Sequence, residues 1–227
     1  MKLLSKVKSI LRKKRLARQE PVEIFTHYAR SNKWGDKDSL SGKGSNLEAT
    51  KHVRDLRPSV LREVGAASLL DVPCGDFFWM QHVDLAGIKY LGGDIVPDLI
   101  EANRRHYARP GIDFAVVDLI RGPVPKADVI FVRDCLVHLS HEHVKSALAN
   151  IARSGGTWLL TTTFPETGEN TDIATGEWRA INLVKAPFHL PQPERLFAEG
   201  QAHLKGQKSD KMLGLWRIAD LLTVQEQ

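Results

Sequence analysis

Four acidic residues stand at matching places along the middle of the chain. Asp71 closes the run SLLD, Asp94 closes KYLGGD, Asp118 follows IDFAVV, and Asp134 follows VIFVR. Open parallel sheets bind ligands beyond the carboxyl ends of their strands, where a carboxylate accepts hydrogen bonds from ligand hydroxyl or amino groups. One such acid is weak grounds, because Asp also caps helices and starts turns. Four in register on one sheet edge point to a ligand site. Asp94 lies 23 residues beyond Asp71, an interval at which an acid can accept from both hydroxyls of a ribose. The turn after Asp71 reads VPCGDFFW, and its one glycine, Gly75, lets a ligand come close to the backbone. It lacks the G-x-G-x-x-G spacing that seats a pyrophosphate on a helix N-terminus. Pro73, Asp76, Phe77 and Phe78 fill that turn instead, which argues against a dinucleotide-dependent oxidoreductase.

Proton transfer has two candidates after the fourth run, Asp134 and His138. His138 has the intrinsic pKa better suited to a general base at neutral pH; the alternative is a histidine packed at a helix start. His141 and His143 follow at once. Without a Cys pair at ligand spacing they are expected on the solvent face of a helix, and no metal site is expected. Cys74 and Cys135 follow the first and fourth runs and are expected as small buried residues beside the site. Two cysteines do not make a secreted disulfide scaffold.

These residues need a sheet to hold them. Short apolar runs at 68–72, 88–93, 112–117, 127–132 and 157–163 predict strands. Helices are expected at 97–107, with Pro97 as first residue, and at 140–152, with Ser140 as N-cap. Strands alternating with helices predict an α/β fold: a Rossmann-like, doubly wound, mostly parallel sheet covered on both faces. Residues 165–193 are rich in Pro, Gly and Thr and read as a long loop. Segments near 194–198 and 211–218 would add antiparallel strands at the C-terminal edge. Ser45 and Glu48 form a capping-box pattern opening a helix that Pro58 interrupts or restarts and Gly65 ends.

The matching motifs are DVPCGD after the first strand, GGDI after the second, VVDL after the third and FVRDCLVHL at the fourth. With them the sequence resembles class I S-adenosylmethionine-dependent methyltransferases. Within that class, WGDKDSLSGKGSNLEAT (34–50), RDCLVHLS (133–140) and LLTTTFP (159–165) resemble a bacterial group whose acceptors are poorly defined. The resemblance spans about 30–218 and implies S-adenosylmethionine as cofactor. It implies that the turn Asp71–Asp76, with Cys74 and Gly75, runs under the methionine part. It implies that Asp94 binds the ribose diol, Ile95 packs on the adenine, and Asp118 accepts from its amino group beside Leu119. It places the backbone near Arg133 at the methionine ammonium. Pro73 and Phe77 depart from the glycines of the broad pattern, so that end is expected to be held differently, with help from the 34–45 loop. Trp34 would cover the cofactor as part of that lid. Trp178, Arg179 and Asn182 are candidates for the acceptor wall.

Charge divides the chain unevenly. Residues 1–18 carry eight basic side chains and no acid; outside them, 27 acidic residues face 24 basic ones. The domains expected are therefore a basic amphipathic arm (1–18), a lid loop with helices (19–65) and a cofactor-binding core (66–227). An acidic body argues against a nucleic-acid track. The arm, with Leu3, Leu4, Val7, Ile10 and Leu11 at helical spacing, predicts peripheral contact with anionic membrane from the cytoplasmic side. No apolar run approaches the roughly 18 residues of a membrane span. The function expected is methyl transfer to a small-molecule or glycan acceptor, at oxygen rather than nitrogen. The strand-four sequence RDCL lacks the Asp/Asn-Pro-Pro-aromatic turn of many amino-methylating enzymes. The alternatives are a cofactor-binding module without turnover and, less favoured, a nucleotide-dependent oxidoreductase.

Overall fold

A computed structural model describes residue 13 and residues 15–199 and 210–224, so most of the basic arm lies outside the described residues. Seven strands form one sheet in the order β3-β2-β1-β4-β5-β7-β6. They are β1 (Ser68–Asp71), β2 (Lys89–Asp94), β3 (Ile112–Val116), β4 (Val129–Val132), β5 (Trp158–Thr163), β6 (Arg195–Ala198) and β7 (Met212–Arg217). The first five are parallel. β7 runs antiparallel to β5, and β6 antiparallel to β7. Strand order reverses at β1 and β4, which sets the crevice beyond their carboxyl ends.

Successive side chains of a strand point to opposite faces, and each face has its own core. Leu70, Ile130 and Leu159 pack on one side with Val144, Ala147, Leu148 and Ile151 of helix α4 (His141–Ala152). Leu69, Phe131 and Leu160 pack on the other with Val53, Val60 and Leu61 of α2 (Lys51–Glu63) and Ile100 of α3 (Pro97–Tyr107). Every residue of β4 and β5 is buried, the mark of strands covered on both faces. Ser140 caps α4 as expected, its hydroxyl accepting from the His143 N–H. Gly65 ends α2 at φ +64°, a left-handed conformation that favours glycine.

Two expectations are corrected. The Ser45–Glu48 capping box does not form: α2 starts only at Lys51, and Pro58 sits inside it. Asn46 takes over this stretch, accepting the Ala49 N–H at its side chain and the Thr50 hydroxyl at its carbonyl. Its amide donates to Asp36, which ties the segment to the preceding loop instead of a helix. His141 and His143 do not face open solvent. His143 Nδ1 bonds the Thr175 hydroxyl at 2.7 Å, and the His141 ring lies edge-on to Phe188 at 5.2 Å. The long segment after β5 folds back over the start of α4 and claims both rings.

Helix α1 (Pro21–Arg30) was not anticipated. Its start is well specified: Pro21 is at the first turn, and Glu20 and Glu23 form a reciprocal capping box. Its Ile24 and Tyr28 pack with Leu16 into a third, smaller cluster.

Candidate active site

The turn after β1 shows how the departure at Phe77 is accommodated. Phe77 holds φ +56°, a conformation that costs a side chain energy but not a glycine. Its ring is fully buried against Tyr90, Tyr107 and Phe114 at 5.1–5.2 Å, and this burial offsets the strain. Gly75, at φ +55°, has no such latitude, because a Cβ there would lie 2.0 Å from Ser41 Oγ. The 34–45 loop therefore lies directly on this turn.

Asp76 fastens that loop. Its carboxylate accepts the hydroxyls of Ser39 and Ser41 and the Leu40 N–H, at 2.7–3.4 Å. Asp36 organises the loop from within, accepting the N–H groups of Asp38 and Ser39. Trp34 stacks on Phe25, meets Tyr28 edge-on and lies 5.9 Å from the His138 ring. Gly42 passes against it so closely that a Cβ would sit 2.6 Å from Trp34 Cβ.

Beneath the loop is a cavity of about 960 Å³ at the carboxyl ends of β1–β4. Trp34, Asp71, Cys74, Gly75, Asp94, Ile95, Asp118, Leu119, Arg133, Asp134 and His138 all line it. Three expected residues lie outside the lining: the Asp76 carboxylate is spent on the loop, Arg179 Nη1 on the Leu136 carbonyl, and the Asn182 amide on the Pro165 and Thr167 carbonyls, whereas Trp178 does line the cavity. Both cysteines line the cavity. Burial raises both thiols, Cys135 to about 12, so neither is a reactive thiolate.

The acids differ in what they have left to offer. Asp71 is buried and accepts the Tyr90 hydroxyl at 2.9 Å. Asp94 accepts one N–H on each oxygen, from Gly75 and from Val96. Burial raises its pKa to about 6. The Ile95 N–H acts on it as well, and of about four lone-pair sites Asp94 keeps room for a ligand hydroxyl. Asp118 takes the Ile120 and Arg121 N–H groups on Oδ1, and its Oδ2 has no partner among the described residues. An amino group fits there.

Asp134, itself partly exposed, belongs to a set of four charges whose other three members are buried and which the sequence did not reveal. Its carboxylate lies 2.6 Å from Lys211 Nζ and 3.4 Å from Arg133. Glu199 lies 2.8 Å from Arg133 and 3.0 Å from Lys211. Burial alone would raise the Asp134 pKa, but Lys211 and Arg133 pull it down to about 2. That makes it a poor proton acceptor. His138 differs: its Nδ1 lies 2.8 Å from the Glu177 carbonyl, which can only accept, so Nδ1 carries the proton. Burial lowers its pKa, keeping the ring neutral and leaving Nε2 as its proton acceptor.

Several known proteins resemble the chain. Residues 69–155 match the methyltransferase domain family. That match and the fold support a class I S-adenosylmethionine-dependent methyltransferase domain there. A curated relative, the ubiquinone biosynthesis O-methyltransferase of Xanthomonas euvesicatoria pv. vesicatoria (strain 85-10), is 26% identical over 146 residues. That match covers 62% of this chain and 60% of the relative, so the chain spans under two thirds of the length of that relative. Human N-acetylserotonin methyltransferase, solved with its cofactor, superposes on 92% of this chain and 66% of its own at TM-score 0.55 and 16% identity. A methyltransferase of Clostridium acetobutylicum ATCC 824 covers 73% of this chain and 90% of its own, at TM-score 0.53 and 11% identity. At these identities the two structures speak for the fold. The human structure holds S-adenosylmethionine, and the spare acceptor capacity of Asp94 and Asp118 suits a ribose hydroxyl and an amino group. Among the described residues no cluster fits a metal, and no helix is long and apolar enough to cross a membrane.

Proposed function

We propose that the protein transfers the methyl group of S-adenosylmethionine to a hydroxyl oxygen of a small-molecule or glycan acceptor. The observation that carries this is the fixed, neutral His138 in the cavity wall. A neutral amine attacks through its own lone pair, whereas a hydroxyl benefits from a base that removes its proton as the bond forms. The name of the Xanthomonas relative also favours oxygen.

In this reading Asp94 receives the ribose hydroxyls, Ile95 and Leu119 flank the adenine, and Asp118 Oδ2 receives its amino group. The turn Asp71–Asp76, through Cys74 and Gly75, runs beneath the methionine part. The backbone at Arg133 meets the methionine ammonium, and Trp34 with the 34–45 loop forms the lid. Asp134 acts with Lys211 as a fixed dipole rather than as a base. The sulfonium supplies an already activated methyl carbon. The protein's task is to align the acceptor oxygen in line with it and exclude water. As the new C–O bond forms, the C–S bond breaks with its electron pair returning to sulfur, and His138 Nε2 takes the proton.

The basic residues of 1–18 would hold the protein against anionic lipid on the cytoplasmic side, placing a membrane-associated acceptor within reach. Calorimetry with S-adenosylmethionine, and transfer of a tritiated methyl group into envelope and small-molecule fractions, test the reading. Binding and labelling that disappears in His138→Ala are expected. Failure of the parent protein to bind S-adenosylmethionine would overturn it, and binding with no labelled product would favour a cofactor-binding module.

A further inference from the structure

We infer that Trp178 is the platform on which the acceptor lies, and that the acceptor presents a neutral ring carrying a hydroxyl, phenolic or pyranose. The inference deepens the methyl-transfer reading and rests on it. Trp178 is 52% exposed, one of four exposed large apolar side chains among the described residues. It and Leu40 are the two of these that line the cavity. A half-exposed indole lining a ligand cavity offers flat apolar surface to a ligand. The ring is nevertheless braced: buried Phe164 meets it edge-on at 6.1 Å and 87°.

The backbone around Trp178 explains why it faces the site. The Gly176 N–H donates to the His138 carbonyl, the Glu177 carbonyl accepts from His138 Nδ1, and the Arg179 N–H donates to the Val137 carbonyl. Arg179 Nη1 donates to the Leu136 carbonyl as well. Residues 176, 177 and 179 are thus all bonded to the turn carrying His138, and residue 178 presents its side chain to the cavity. One peptide bond joins the group that orients the base to the platform, so a ring stacked on Trp178 is in a fixed relation to His138.

Charge selects within ring compounds. The cations of this wall, Arg133 and Lys211, are matched by Asp134 and Glu199. Phe25, Trp34 and Phe164 supply much of the remaining wall near His138. Among the described residues these two cations are thus spent on carboxylates, while aromatic faces stack on both a phenol ring and the C–H face of a pyranose.

Saturation-transfer NMR on the full chain saturated with S-adenosylhomocysteine tests this, using catechol, methyl β-glucopyranoside and acyclic glycerol as probes. At least one ring probe should bind and glycerol should not; which ring binds separates a phenolic from a glycan acceptor. Trp178→Ala should weaken ring binding at least tenfold, with Trp178→Phe within about threefold of the parent protein. Calorimetric affinity for S-adenosylhomocysteine should be unchanged in both. Ring binding equal in Trp178→Ala and the parent protein, or no ring binding by the parent protein, would overturn the platform. Failure of the parent protein to bind S-adenosylhomocysteine would instead overturn the underlying reading and the platform with it.

Discussion

The carbonyl of Glu177 fixes the imidazole of His138, accepting its Nδ1–H across 2.8 Å. This bond sets the tautomer, and burial lowers the pKa, so the ring is neutral and Nε2 is basic over the physiological range. His138→Ala should lower kcat by roughly 10²–10⁴-fold, the usual worth of a general base. Cofactor affinity by calorimetry should stay the same. The acidic limb of the kcat/KM profile should lie below the ordinary histidine pKa in the parent enzyme and vanish in the variant. An intact limb in His138→Ala would remove the histidine from the mechanism.

Asp94 makes cofactor affinity depend on pH. Its pKa in the ligand-free fold is raised to about 6 by burial. The ionised form accepts hydroxyl protons best, so binding should release a proton below that value. Affinity is then constant above about pH 6 and falls by up to about tenfold per pH unit beneath it. Asp94→Asn should weaken binding by roughly 10–100-fold, the worth of one or two bonds to a charged acceptor, and flatten the profile. Titrations in buffers of differing ionisation enthalpy would count the proton directly.

Asp76→Ala removes the acceptor for the Leu40 N–H and for two serine hydroxyls. The 34–45 loop should loosen while the sheet stays folded. Hydrogen exchange should rise across 36–46 and remain protected in β4 and β5. Cofactor dissociation should quicken, with an affinity loss of about 1–3 kcal/mol. Gly75→Ala attacks the same contact from the other side, through a steric clash with Ser41 at a left-handed backbone position.

The Arg133–Glu199–Lys211–Asp134 set balances two charges of each sign. Lys211→Met leaves buried Glu199 and partly buried Asp134 facing one guanidinium and should cost about 3–5 kcal/mol in denaturant unfolding. Adding Asp134→Asn restores neutrality and should recover part of that loss. A strictly additive double mutant would show that the four groups do not act as a unit.

The basic arm and the fold overlap at Leu16, which is buried against Ile24 and Tyr28. Deleting residues 1–12 should abolish sedimentation with anionic vesicles and leave cofactor affinity unchanged. Extending the deletion through residue 18 should also cost about 2 kcal/mol of stability, from lost burial of one leucine. Vesicle binding that survives the shorter deletion would remove the arm as an anchor.

The strands were legible in the sequence to within two residues at each end, because runs such as SLLD and WLLTTT are apolar and turn-bounded. Their carboxyl-terminal acids were legible for the same reason: a strand that ends at Asp94 or just before Asp118 announces its own edge. Glu199 and Lys211 could not be found that way. They flank the connection between the last two strands, more than 60 residues from Asp134, and only the antiparallel return of β7 onto β5 brings them there. The choice between Asp134 and His138 was likewise invisible, since it turns on Lys211 and on the Glu177 carbonyl. The Ser45 cap failed because Asn46 and Asp36 offered the backbone a competing set of bonds. Helix α1 did carry a signal, Pro21 beside the Glu20–Glu23 pair.

Gly176 has no room for a side chain: at φ +95°, a Cβ would lie 2.7 Å from Ile24, 3.1 Å from the Tyr28 hydroxyl and 3.5 Å from Leu16. The hydroxyl of Tyr28 also bonds its carbonyl. The N-terminal helix and the 174–179 strap thus meet as lock and key, though more than 140 residues separate them in sequence. Neither lies within residues 69–155, the stretch matched to the methyltransferase domain family. Anyone wishing to retarget this scaffold to a new acceptor would have to transplant both segments together, because a strap borrowed alone would arrive without the surface that shapes it.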